Sequence, residues 1–301
     1  MPGFALPLLH AYVPGAAFAW SPHVEVLIWL FLLEGFYLYG LARLHERAPE
    51  ARPISTRKIA LYTSGVLTLW LAAATPLDGL ADYYLISAHM LQHLIFTMVA
   101  PPLLLLGLPD WLLRPVLCRR FIQPAIRFLT RPLIAFTIFN LTLLFVHLPP
   151  AITAELNHEE TVHFGSHLLL IVTALLMWWP VLSPLPELPR LSYPLQLVYL
   201  FVQSFVPAVL SAILIFGNTV IYPFYLNTPK IWGLAAIDDQ RIGGVIMKIG
   251  GSAIIWAFMG VIFFLWFQQE ERTEPAVAAP PEPIVWQDVE EELTRMGLTK
   301  H

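Results

Sequence analysis

The chain is predicted to be an all-α, polytopic membrane protein, and three observations carry that prediction. Of its 301 residues, 57% are hydrophobic and only 13% charged, against roughly 25% charged in ordinary soluble domains, and the mean hydropathy is +0.66. Seven apolar runs each approach the roughly 20 residues needed to cross the hydrocarbon core. The runs are continuous rather than alternating with a period of two, so they read as helices and not as barrel strands, the other structure that satisfies every backbone polar group in lipid.

In chain order the spans fall at about 24–41, 59–75, 86–106, 132–148, 162–182, 194–216 and 243–267. Residues 1–23 have no positively charged start of the kind a signal peptide needs, so they read as a retained extracytoplasmic segment ahead of the first span. Residues 24–267 form the transmembrane domain, and 268–301 an acidic cytoplasmic tail. In the tail a linker rich in Ala and Pro (275–283) leads to Ile284, Val285, Val289, Leu293 and Met296, which recur at helical spacing. The tail holds eight acids against three bases, so the net charge of -4 belongs to this appendage. Twenty-seven prolines exclude one long coiled coil but suit membrane helices broken by tight turns.

Lys and Arg set the sidedness. The first connection carries Arg43, Arg47, Arg52, Arg57 and Lys58, and the third Arg114, Arg119, Arg120, Arg127 and Arg131; Arg190, Arg272, Arg295 and Lys300 join them on the same side. The opposite side has only Lys230 and Arg241. Short basic loops stay in the cytoplasm, so the N-terminus is expected outside and the C-terminus inside.

Composition also excludes. A pI near 6.2 does not suit a nucleic-acid binder, which needs a basic face to displace counterions. The single cysteine, Cys118, excludes an internal disulfide framework, a Cys-based zinc site and a Cys-x-x-Cys redox pair. Metal chemistry then falls to histidine, methionine and carboxylates. Eight of the ten histidines (His10, His23, His89, His93, His147, His158, His163 and His167) lie on or near the outer face, and only His45 and His301 lie inside. The third span carries His89 and His93, the fifth His163 and His167. Each pair is spaced i, i+4, which stacks both imidazoles on one helical face, the arrangement that lets a helix give two ligands to one ion. At about 1.5 Å per residue His93 lies roughly 10 Å and His167 roughly 8 Å below the outer end of their spans, with His147 at a comparable level. Leaving several imidazoles desolvated and unpartnered is costly, so the set reads as a metal site, a pair of axial haem ligands or a proton relay.

Asp238, Asp239 and Gln240 stand at the start of the last span, where carboxylates suit the positive end of the helix dipole or could orient metal-bound imidazoles from outside. Gly243, Gly244, Gly250 and Gly251 suggest close helix contacts, and Met247 would offer a thioether at the depth of the His pairs. Glu34, midway along the first span, is a possible proton-relay carboxylate. Pro101-Pro102 and Trp178-Trp179-Pro180 read as a kink and an interfacial aromatic anchor.

Taken in order, His89-Met90-Leu91-Gln92-His93 with Ala100-Pro101-Pro102-Leu103-Leu104, the fifth-span histidines with Trp178-Trp179-Pro180, and Asp239-Gln240 with Gly243-Gly244 and Met247 resemble the CtaG family of cytochrome c oxidase assembly proteins. The resemblance implies a multi-pass protein of the bacterial inner membrane that acts with cytochrome c oxidase subunit I or its assembly intermediates. It also implies a role in forming the copper B centre rather than catalysis. Lys248 departs from the family pattern, since a large apolar or aromatic residue is expected there and a cation beside cuprous ion opposes binding. On this reading copper is the expected metal, with His89, His93, His163 and His167 as ligands, His147 and Met247 as further candidates, and Asp238, Asp239 and Gln240 supporting them. The rival readings are a membrane cytochrome holding haem between the third and fifth spans, a copper or proton transporter using Glu34, and a metal-free chaperone.

Overall fold

A computed structural model describes residues 20, 23–44, 54–156, 160–273 and 286–298. These residues form helices and turns with no strand among them. Five single helical segments are long and apolar enough to cross a membrane: Val24–Arg43, Ile86–Gly107, Val162–Leu182, Tyr193–Phe216 and Ala236–Arg272. Two bent pairs raise the number to seven, Thr56–Ala73 with Pro76–Tyr83 at 43° and Gln123–Leu129 with Pro132–Val146 at 70°. Beyond them, Trp286–Arg295 is a short helix in the acidic tail. His10, His45, His158 and His301 lie outside the described residues, as do residues 1–19.

The bend in the second span is written in Thr75-Pro76. Proline cannot continue the preceding helix but suits a first turn. Thr75 caps the new helix by accepting from Leu77 N–H at 3.3 Å, while its hydroxyl donates back to Leu71 C=O at 2.6 Å. The redirected helix buries Asp78 and Asp82.

The third span widens to a π turn at Ile95–Val99, just ahead of Pro101-Pro102. Pro101 has no N–H to give to Thr97 C=O, four residues earlier, and that carbonyl is instead met by the indole N–H of Trp178 at 2.9 Å. This corrects the reading of the fifth-span tryptophans as an interfacial anchor. Trp178 is fully buried, and Trp179 is buried with its N–H on Leu188 C=O. The Pro-Pro and Trp-Trp motifs are two halves of one contact. Trp178 sits in the main core with Phe139, Met177 and Leu200. A second apolar cluster joins the first three spans through Tyr37, Tyr62, Val66 and Phe96.

The last span begins at Ala236, earlier than its hydropathy suggests, because the acidic turn Asp238-Asp239 is itself helical. Gly243 and Gly244 let it wedge between neighbours. A Cβ on Gly243 would stand 3.0 Å from Met90 Cγ, and one on Gly244 3.0 Å from Ser211 C=O. Gly250 likewise lies against Leu94.

Candidate metal centre

The third and fifth spans bring their histidines together at the end of the bundle away from the basic connections. Ring centroids are 4.3 Å apart for His89 and His93, 5.5 Å for His93 and His167, and 6.0 Å for His89 and His167. A fourth group arrives from the short helix Pro149–Leu156 in the fourth connection: Glu155 Oε1 lies 3.2 Å from His167 Nε2. One ligand atom from each of His89, His93, His167 and Glu155 falls within 4.8 Å of the others, and all four residues are buried.

Both ring nitrogens of His89, Nε2 of His93, Nε2 of His167 and both oxygens of Glu155 lack a hydrogen-bond partner. Orphaned polar atoms buried this deeply each cost on the order of 1–3 kcal/mol, and here they converge on one point. Four ligands held tetrahedrally at about 2.0–2.1 Å from one ion stand about 3.4 Å apart, so groups that lie within 4.8 Å of one another draw in by up to roughly 1.4 Å when they close on it. In its chemistry, three imidazoles and a carboxylate with unpartnered buried atoms, the donor set fits a metal ion. Burial pushes the Glu155 carboxyl up to about 8, and a bound cation would reverse that shift, since a coordinating carboxylate is deprotonated.

His147 stands behind His93 rather than in the converging set. Its Nδ1 lies 2.7 Å from Leu143 C=O, and a carbonyl only accepts, so Nδ1 carries the proton. His147 Nε2 is then an acceptor for His93 Nδ1–H at 3.4 Å. That leaves the lone pair of His93 on Nε2, the atom facing the cluster. Tyr222 adds a hydroxyl bond to His147 C=O at 3.1 Å.

The other residues expected at the site are placed elsewhere. His163 packs edge-to-face against His167 at 4.4 Å but faces Asp82, whose Oδ1 is 3.5 Å from its Nε2. Met247 is buried in an apolar cluster with Ile86, Met90 and Leu214. Asp239 accepts from Ile86 N–H at 2.7 Å and Ser87 N–H at 3.3 Å, so it caps the third span rather than its own helix. Asp238 is exposed and pairs with Arg241 at 3.3 Å. Gln240 ties the sixth connection together, accepting from Ile221 N–H and donating to the carbonyls of Leu214 and Thr219. Lys248 is exposed, one residue beyond the buried Met247, and so does not stand at the cluster. Glu34 accepts from the Thr63 hydroxyl at 2.7 Å between the first two spans.

Two groups escaped the sequence reading. Asp78 and Asp82 share the i, i+4 spacing of the histidine pairs, a signal that was present and unused. Glu155 shares its connection with Glu159 and Glu160, and nothing in the local spacing singles it out from them. A cavity of about 430 Å³ opens beside the first span, with His23, Asp78, Asp82, Glu155, His163 and His167 along its polar wall.

Fold and site together define a multi-pass, all-helical membrane protein with a buried imidazole and carboxylate centre near one end. Residues 35–269 match the family described as cytochrome c oxidase caa3 assembly factor, and the chain belongs to that family. It is also similar to uncharacterized proteins of Mycobacterium bovis and Mycobacterium tuberculosis, each 27% identical over 235 residues that cover 69% of this chain and 35% of the relative. The chain thus spans about a third of the length of these curated relatives. No solved structure matches it.

Proposed function

We propose that the chain is a non-catalytic assembly factor that handles copper for the copper B centre of cytochrome c oxidase subunit I. It sits in the bacterial inner membrane with the histidine end facing outward, as the asymmetry of the basic loops requires. His89, His93 and His167 are the principal ligands, Glu155 is the fourth, and His147 holds His93 in the binding tautomer. Imidazole nitrogens suit copper, which on this reading is cargo rather than a resident catalytic ion.

The observation that carries this reading is the convergence of buried, unpartnered imidazole nitrogens from two spans on one point. It favours an ion over the rival haem, because four groups converge on one centre whereas haem iron takes at most two axial ligands from the protein. A transporter using Glu34 is less well supported, since that carboxylate is engaged by Thr63 and is not among the residues lining the cavity. Replacing His89, His93, His163 and His167 singly by Ala and measuring copper B occupancy in the oxidase tests the proposal. Occupancy should fall in the His89, His93 and His167 variants. Full occupancy in all of them, with each variant stably inserted, would refute copper delivery.

A further inference from the structure

We infer that Asp78, Asp82 and His163 form a second cation site, next to the imidazole cluster and on the wall of the cavity, that takes a divalent ion of the Mn²⁺, Fe²⁺ or Zn²⁺ class. The inference stands independently of whether the first cluster holds copper. One ligand atom from each of the three residues lies within 4.8 Å of the other two. Asp78 and Asp82 are one helical turn apart on Pro76–Tyr83, and His163 reaches them from the fifth span.

The second observation is the state of the carboxylates. Asp82 is 6% exposed, and its Oδ1, the atom aimed at His163 across 3.5 Å, has no hydrogen-bond partner. Asp78, 3% exposed, is held on both oxygens: Gln92 Nε2 donates to Oδ1 at 2.8 Å, and His23 Nε2 lies 2.8 Å from Oδ2. Gln92 is itself pinned to Ala72 C=O at 2.8 Å. Outer groups that fix a carboxylate while leaving lone pairs free are the usual support of a metal ligand. Among the described residues no Lys or Arg pairs with either acid. Two carboxylates buried this close repel each other unless one takes a proton or a cation lies between them. A divalent ion at this oxygen-rich site would balance their charge.

The two centres differ in chemistry. Carboxylate oxygens favour harder divalent ions, whereas the three-imidazole cluster favours softer copper. They are joined through the His163–His167 ring contact at 4.4 Å. Their donor sets share no residue, so one centre can be emptied without dismantling the other.

Mn²⁺ is the probe, added to purified full-length protein in detergent and read by electron paramagnetic resonance, with Zn²⁺ as competitor. The wild type is expected to bind one Mn²⁺. Asp82→Asn should weaken binding at least about tenfold, and Gln92→Leu, which frees Asp78, about 10- to 100-fold. His89→Ala should leave Mn²⁺ affinity unchanged while removing cuprous binding. If Asp82→Asn does not give folded protein, His163→Gln carries the test, with the same loss expected. The inference is overturned if the wild type binds no Mn²⁺, if the variants at Asp82, Gln92 and His163 bind it as tightly as the wild type, or if His89→Ala abolishes it. A loss of cuprous binding in His89→Ala with Mn²⁺ retained separates failure of the copper reading from failure of this one.

Discussion

Replacing His147 by Leu separates a group that binds metal from one that orients a ligand. In the native arrangement His147 Nδ1–H donates to Leu143 C=O at 2.7 Å, and His147 Nε2 accepts from His93 Nδ1–H at 3.4 Å. Leucine fills the space but accepts nothing. The His93 ring is then free to carry its proton on Nε2, which points a hydrogen instead of a lone pair at the cluster. Loss of such outer support costs about 10- to 100-fold in metal affinity. The 3.4 Å separation is long for a nitrogen–nitrogen hydrogen bond, so the expected loss is at the lower end, about tenfold, or roughly 1.4 kcal/mol. Competition for cuprous ion against a chromophoric chelator measures the affinity, and X-ray absorption counts the imidazoles. His147→Leu should still bind one copper with an unchanged imidazole number, and His93→Ala should bind far more weakly. An affinity equal to the wild type would show that His147 does not position His93. A loss matching His93→Ala, with one imidazole fewer, would make His147 a ligand.

Three further outcomes are expected. The hydrogen bond to Asp78 raises the pKa of His23 from 6.5 to about 8 against the opposing effect of burial. The tie between the first span and Asp78 is therefore fully present below about 6.5 and fades as pH rises through about 8; the gap in thermal midpoint between wild type and His23→Leu should be wide near pH 6 and close by about pH 9, and a gap independent of pH would contradict it. Trp178→Phe orphans the carbonyl of Thr97 and should cost about 1–3 kcal/mol in detergent unfolding, with cuprous affinity retained. Asp239→Ala uncaps the third span and should cost about 1–2 kcal/mol, whereas Asp238→Ala, which breaks only an exposed pair with Arg241, should cost under about 1 kcal/mol in the same assay.

The spans and the histidine pairs were legible because both are local properties. Hydropathy over about 20 residues decides whether a helix crosses a bilayer, and i, i+4 spacing places His89 with His93 and His163 with His167 on single faces regardless of what surrounds them. The carboxylates were harder to read. Asp78 and Asp82 reach the buried wall only because Thr75-Pro76 turns the chain by 43°, and Glu155 reaches His167 from a connection that carries no periodic pattern.

Contacts between distant parts of the chain left no trace in local pattern. Asp239 looks like a cap for its own helix by position, yet its partners are Ile86 and Ser87, about 150 residues earlier. Trp178 looks like an interfacial anchor at the end of a span, yet it supplies the hydrogen bond that Pro101 cannot give to Thr97. His147 shares the depth of the other histidines, but which nitrogen it offers, and to whom, depends on Leu143 and His93. The amino-acid sequence alone determined an all-helical membrane chain, its periodicity and the residue types available for binding, because those follow from side-chain transfer energies and helical geometry. Only the tertiary structure decided which nitrogens and oxygens meet without partners, because a buried polar atom is satisfied or orphaned by what the other helices bring against it.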